Sequence, residues 1–313
     1  MVLSLRITGI HYGLTLLYSY LLPVINVVET SYGFVFGYAT GAAKGLTCVF
    51  RESTLETECY ASNRVDPQVV ENVLGLSKWG LFRGLCGYST RDCVVSNITL
   101  IYEPRYRVHV AYSVYLSRNT DYYANTIRWV REALVKGVVE SPSYIAREFN
   151  SVRRTIDKVL RGRSSPLREA LKLLEVRGFG VKLAKAYLLH AHGMTEHAPV
   201  DRHYAKILNL KRVNPPKTHC IKQRLDCTKC DKHCPYAYTT KRFSSLNGVV
   251  QSLAYIYGKL SSKRRTALEE ILVRDPHQHL DKLENTLYSL TANPEAGKNK
   301  ALNSELDIWS DEA

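Results

Sequence analysis

The chain has 313 residues, 45% of them hydrophobic and 23% charged, long enough to bury a full core and to divide into two domains. That balance describes a soluble globular protein and excludes a largely disordered or membrane-embedded one. Lys and Arg number 43 against 29 Asp and Glu, a formal net charge of +14, which favours a polyanionic partner, nucleic acid first and an anionic membrane surface second.

Residues 1–103 read as a β-rich domain. Segments 3–10, 14–20, 25–30, 33–38 and 46–50 are short, rich in β-branched and aromatic residues, and bounded by Gly, Asn or Ser, the signature of strands. A further strand is expected over 93–102 and a short helix over 67–76. The apolar run 14–28 contains Pro23 and is short for a membrane span, so neither a spanning segment nor a targeting peptide is expected. The cysteines fall into two sets. Cys48, Cys59, Cys86 and Cys93 are scattered and read as buried apolar residues or spare thiols, whereas Cys220, Cys227, Cys230 and Cys234 lie within fifteen residues. This usage suggests a reducing interior.

From Pro104 the pattern turns helical, over 108–116, 123–134, 141–149 and 152–160. Arg153, Arg154, Lys158, Arg161 and Arg163 make a basic stretch that reads equally as a solvated helix face or a backbone-tracking surface. Ser165-Pro166 supplies an N-cap and first helical residue, and Leu167, Leu171 and Leu174 follow at helical spacing. Gly178 and Gly180 stop this helix and permit a tight turn. A second helix starts near Val181, with Ala184, Leu188 and Ala191 on one face. The unpaired first amides of that helix suit a phosphate. Lys182 stands at its head, with Lys185 one turn on, and Asp201 follows nineteen positions after Lys182 in Pro199-Val200-Asp201-Arg202-His203. Taken singly, Lys182 reads as a surface lysine and Asp201 as a helix N-cap.

Downstream, Cys220-x6-Cys227-x2-Cys230-x3-Cys234 has the density of a metal-ligand set that iron–sulfur clusters and zinc both accept. His219 and His233 stand by as substitute ligands. Helices are expected over 244–260, 263–273 and 280–290, then a loose acidic tail over 291–313.

The run from Gly178 to Ala184, Gly-x-Gly-x-Lys-x-Ala, followed by Val200-Asp201-x-His203, resembles the helix-hairpin-helix DNA glycosylases, the superfamily of endonuclease III and 8-oxoguanine glycosylase. The resemblance covers about residues 105–235. It implies an α+β protein, an N-terminal antiparallel β-sheet domain followed by an all-α glycosylase core over 104–290 that includes the cysteine loop 219–236. It implies a base-excision-repair enzyme, a bifunctional glycosylase and AP lyase acting on a damaged, oxidised base in double-stranded DNA. Lys182 would be the Schiff-base nucleophile, its charge disfavoured by Lys185, and Asp201 the electrostatic partner. Gly178, Gly180 and His203 would contact the DNA backbone. Arg118 and Asn119 stand where the family often has a glutamine that fills the gap left by the extruded base, and are assigned to DNA contact. Endonuclease III-type relatives carry a similar cysteine motif with a longer last gap, which implies a 4Fe-4S cluster on Cys220, Cys227, Cys230 and Cys234, with zinc the alternative. Intracellular localisation, a monomeric state and no membrane partner complete the expectation. The cysteine loop leans toward oxidised pyrimidines, the N-terminal sheet and Pro-Val-Asp-x-His toward 8-oxoguanine. A monofunctional mismatch or uracil glycosylase and a non-catalytic hairpin DNA-binding protein are the alternatives.

Overall fold

A computed structural model describes residues 3–86, 93–162, 164–211, 215–230 and 234–292. Five antiparallel strands form one sheet in the order β1-β5-β4-β3-β2, with β1 Leu3–Thr8, β2 Ile25–Thr30, β3 Gly33–Tyr38, β4 Leu46–Arg51 and β5 Glu56–Ala61. The inward face follows the two-residue period: Phe34, Phe36 and Tyr38, then Leu46, Cys48 and Phe50, then Thr57, Cys59 and Ala61 are buried, as alternation across a half-covered sheet requires.

Three expectations for this region are corrected, and one strand is added. The segment 14–20 is not a strand: helix α1, Tyr12–Leu16, starts it, capped by the His11 ring accepting from Leu14 N. Every residue of this helix is buried, so the run carries no one-sided pattern to separate helix from strand. Over 93–102 the chain forms a 3-10 turn, Val94–Asn97, and then runs on without joining the sheet. Strand β5 went unread because Glu56 and Glu58 mask the alternating Thr57, Cys59 and Ala61. Finally, the scattered cysteines pair. Cys48 lies opposite Cys59 in the β4–β5 register and is disulfide-bonded to it, and Cys86 is bonded to Cys93. These pairings remove cysteine usage as an argument for a reducing compartment.

The remainder is helical. Helices α2 Pro67–Val73 and α3 Leu76–Gly84 lead to α4 Arg107–Leu116, which follows a 3-10 turn at Pro104–Tyr106. After the single π turn Tyr122–Thr126 come α5 Ile127–Lys136 and α6 Tyr144–Arg161, then the hairpin pair α7 Pro166–Glu175 and α8 Val181–His192. Helices α9 Arg202–Ile207, α10 Lys217–Lys222 and α11 Pro235–Phe243 carry the chain through the cysteine loop to α12 Asn247–Leu260, α13 Ala267–Leu272 and α14 His277–Ala292. Among the described residues no helix is long and apolar enough to cross a membrane. The acidic tail from Asn293, together with Arg163 and His233, lies outside the described residues.

The last two helices return to the beginning of the chain. Helix α13 packs on β2 and β3, and its Leu272 carbonyl oxygen would stand 1.8 Å from a Cβ placed on Gly13. Arg274 donates to the carbonyls of Ser31, Thr30 and Gly33 and pairs with Glu29 at 3.4 Å. From α14, His279 meets the His11 ring edge-on at 4.9 Å.

This seam predicts acid sensitivity. Burial, then the charge of His279, pushes the His11 pKa down to about 3, and burial pushes His279 down to about 4. Between these values and the ordinary 6.5 the unfolded chain binds more protons than the folded one, so stability falls as pH drops through that window. The His11→Gln variant is expected to lose about 2 kcal/mol less than the wild-type chain between pH 7 and 4.5 in denaturant titrations. Equal losses in both would refute the assignment.

Candidate active site

The hairpin is built from the outside in. Ser165 caps α7 by accepting from Arg168 N, and the turn between α7 and α8 is held by the C-terminal end of α4. Tyr115 O–H donates to Arg177 O at 3.1 Å. Arg118 donates from Nη1 to Gly178 O at 3.1 Å, from Nη2 to Glu148 Oε2 at 2.8 Å and from Nε to Tyr115 O at 3.0 Å. Its guanidinium lies over the Tyr115 ring, 4.0 Å from the centroid, where desolvation strengthens the attraction. Arg118 therefore faces into the protein as the brace of the turn and is not among the residues lining the cavity described below.

The two hairpin glycines differ. Gly178 has φ of +79°, and a Cβ there would meet Arg118 Nη1 and Tyr115 Oη at 2.5 Å. Gly180 has an ordinary extended backbone, caps α8, and a Cβ there would meet nothing within 4 Å. The protein itself has no need of glycine at 180. The missing side chain leaves the space in front of the first α8 amides open.

Beside this turn opens a cavity of about 590 Å³, lined by residues that include Lys182, Asp201 and His203. Lys182 reaches it from the first turn of α8. Lys185, one turn on, points elsewhere: it is buried, with Nζ 3.2 Å from His197 Nδ1, and its charge opposes the upward shift of the Cys220 thiol. Asp201 is an N-cap and a cavity residue at once. Its Oδ1 accepts from His203 N and Tyr204 N at 2.9 and 2.8 Å. Its Oδ2 accepts from Gln251 Nε2 at 2.8 Å. Gln251 Oε1 in turn accepts from Tyr18 O–H at 2.5 Å. His203 packs so closely on α12 that a Cβ on Gly258 would sit 1.9 Å from its Nδ1, and burial, outweighing Asp201, lowers its pKa. Asn119, at φ +48°, lines the cavity and donates to Tyr144 O–H at 3.3 Å.

Several lining residues were missed in the sequence: Tyr18, Tyr20, Tyr122, His190, Gln251 and Tyr255. A signal was available in the 21 tyrosines set against 7 phenylalanines, since a tyrosine offers an apolar face and a polar tip to a ligand. Gln251 and Tyr255, four apart on α12, also share a helix face.

In the cysteine loop, Cys220, Cys227 and Cys230 are buried, Cys234 is half-buried, and all four are free thiols. Burial first, then the neighbouring Cys227, Cys234 and Cys230, push the Cys220 thiol up to about 11, so the four lie within electrostatic reach of one another. His219 Nε2 is 3.4 Å from Cys230 Sγ, and Lys241 Nζ donates to Cys230 O at 2.7 Å. Lys217 donates to Leu174 O and so joins the loop to α7. Among the described residues no group of three or more His, Cys, Asp and Glu side chains is arranged as a metal site.

No protein-family model matches the sequence, and the curated proteins contain no similar sequence. Solved structures do share the fold. An 8-oxoguanine glycosylase/lyase of Clostridium acetobutylicum, in complex with double-stranded DNA containing cytosine opposite 8-oxoG, superimposes with a TM-score of 0.53 at 10% identity, over 82% of this chain and 97% of that one. MBOgg1 in complex with a low-affinity DNA ligand gives 0.54 at 14% identity, over 82% and 95%. The apo form of the clostridial protein gives 0.50 at 12% identity, over 81% and 95%. The chain thus has the fold of these glycosylase/lyases: an N-terminal five-stranded antiparallel sheet followed by a helical core.

The glycines predict a contrast that thermal or denaturant unfolding will read. Gly178→Ala should destabilise the protein by about 2 kcal/mol, through positive φ and collision with the Arg118 brace. Gly180→Ala should change stability by less than about 1 kcal/mol.

Proposed function

We propose that the protein is a base-excision DNA glycosylase with AP lyase activity. The observation that carries this reading is that Lys182 and Asp201, from different helix starts, line one cavity beside a turn whose Gly180 leaves its approach open. The volume suits one extruded nucleobase. The net charge of +14 suits a DNA backbone and makes binding weaken with salt.

In this reading the neutral Lys182 amine attacks C1′ of the damaged nucleotide. The C1′–base bond breaks, and the base leaves with the bonding pair and gains a proton. Positive charge that builds on the sugar faces the Asp201 carboxylate, which the α9 amides and Gln251 hold in place, a preorganised electrostatic partner. The nitrogen lone pair then opens the sugar ring to a Schiff base. Loss of a C2′ proton expels the 3′ phosphate by β-elimination, and water releases the lysine. Amides at the start of α8, with Asn119 and His203, would hold the DNA around the extruded nucleotide.

The fold's likeness to 8-oxoguanine glycosylase/lyases supports an oxidised purine as the first base to test. We also assign a 4Fe-4S cluster to Cys220, Cys227, Cys230 and Cys234, supported by four free thiols that perturb one another electrostatically; zinc is the alternative on the same donors. The cluster's contribution would be structural. It would hold Cys220 and Cys234 as thiolates against the burial that pushes both thiols up, and so fix the loop that Lys217 joins to α7 and Lys241 ties at Cys230 O.

Borohydride trapping on duplexes carrying an abasic site, 8-oxoguanine, thymine glycol or uracil tests the chemistry. The wild-type chain should form a covalent adduct that Lys182→Ala abolishes, and Asp201→Asn should slow base release by about 100-fold or more. Base release without an adduct would identify a monofunctional glycosylase, and duplex binding with neither a non-catalytic binding protein. For the cysteines, anaerobically purified protein should contain iron and acid-labile sulfide in equal amounts. Stoichiometric zinc instead would select the alternative, and neither would remove the assignment.

A further inference from the structure

The chemistry above makes no use of His190, a polar group of the cavity wall. His190 is 1% exposed and lines the cavity from the same helix as Lys182, eight residues on and about 12 Å further along the axis. Its ring centroid lies 4.6 Å from those of both Tyr18 and Tyr20. Neither Nδ1 nor Nε2 has a hydrogen-bond partner, although buried polar atoms are almost always paired.

Other polar groups on the cavity wall are committed. Tyr18 O–H is given to Gln251 and the Gln251 amide to Asp201. Tyr122 O–H goes to Ser19 O, and Tyr20 is within 3.3 Å of Ser117 Oγ. Lys259 is paired with Glu269 at 2.6 Å. His190 is thus a buried donor-and-acceptor group, fixed between two aromatic rings, that the folded chain does not satisfy.

We propose that His190 is a specificity-determining residue, the group that reads the edge of the extruded base by a hydrogen bond from the cavity wall about 12 Å along α8 from Lys182. The inference rests on the glycosylase reading and assigns within it which end of the pocket recognises the base. Lys182 and Asp201 serve the sugar, and His190 serves the base. Burial drives the His190 pKa down to about 3, so the ring is a neutral imidazole, with one nitrogen donating and the other accepting. Such a ring suits the edge of a neutral base carrying a ring N–H or a carbonyl. An abasic site gives it no partner.

The test compares His190→Leu, which removes both polar atoms, with His190→Gln, which keeps a donor and an acceptor. For each protein, single-turnover base release from 8-oxoguanine, thymine glycol and uracil duplexes is divided by adduct formation at an abasic site. Binding to each lesion duplex is likewise divided by binding to a duplex with a tetrahydrofuran abasic analogue. For the preferred base, His190→Leu should lower both ratios by about 10- to 100-fold, and His190→Gln should recover part of the loss. Ratios that stay level while all activities fall together would overturn the proposal and leave His190 a packing residue. So would a wild-type protein that binds no lesion duplex better than the abasic analogue. A wild-type chain that neither releases a base nor forms an adduct, yet binds a lesion duplex through His190, would sink the glycosylase reading and retain the base-reading one.

Discussion

The carboxylate of Asp201 is where the parts of this molecule meet. One oxygen takes two amides from the start of α9 and the other takes the Gln251 amide from α12. Gln251 in turn holds the hydroxyl of Tyr18, which belongs to the first twenty residues of the chain. Three donors on a half-buried carboxylate fix its position far more tightly than a helix cap alone needs. Tyr18 then anchors the aromatic wall and Gln251 positions α12. This one group ties three parts of the cavity wall together, and the lysine that shares the cavity stands on a helix held by other contacts.

Holding that helix still is the work of Arg118. Its donors go to the Gly178 carbonyl in the hairpin turn, to the Tyr115 carbonyl of α4 and to the Glu148 carboxylate of α6. The family resemblance placed this arginine against DNA because it stands where a gap-filling glutamine is common. A one-dimensional pattern gives the position along the chain but not the direction of a side chain, and here the direction is inward. Asn119, the next residue, takes left-handed backbone and lines the cavity instead.

The helical half was legible wherever a local physical signal existed. The Ser165 cap, the glycine turn and the apolar spacing of α7 and α8 all appear where residue chemistry puts them, and Lys182 and Asp201 do share a cavity. What stayed hidden depended on partners far away in the chain. Buried on all sides, α1 shows no period. The 48–59 and 86–93 pairings need strand register and loop closure. His190 looks like any histidine on an apolar helix until Tyr18 and Tyr20 close on it.

The contact between Arg274 and the β2–β3 turn has a consequence for how the chain is made. The sheet is synthesised before α13, which packs on β2 and β3 and presses its Leu272 on Gly13. Until translation has passed Leu272, the apolar surface that awaits it has no cover. Between the strands and α13 the nascent chain therefore carries an unfinished core, the state in which exposed apolar surface invites association with other chains. An earlier-made part is closed by a later-made one, so the order of packing here is not the order of synthesis.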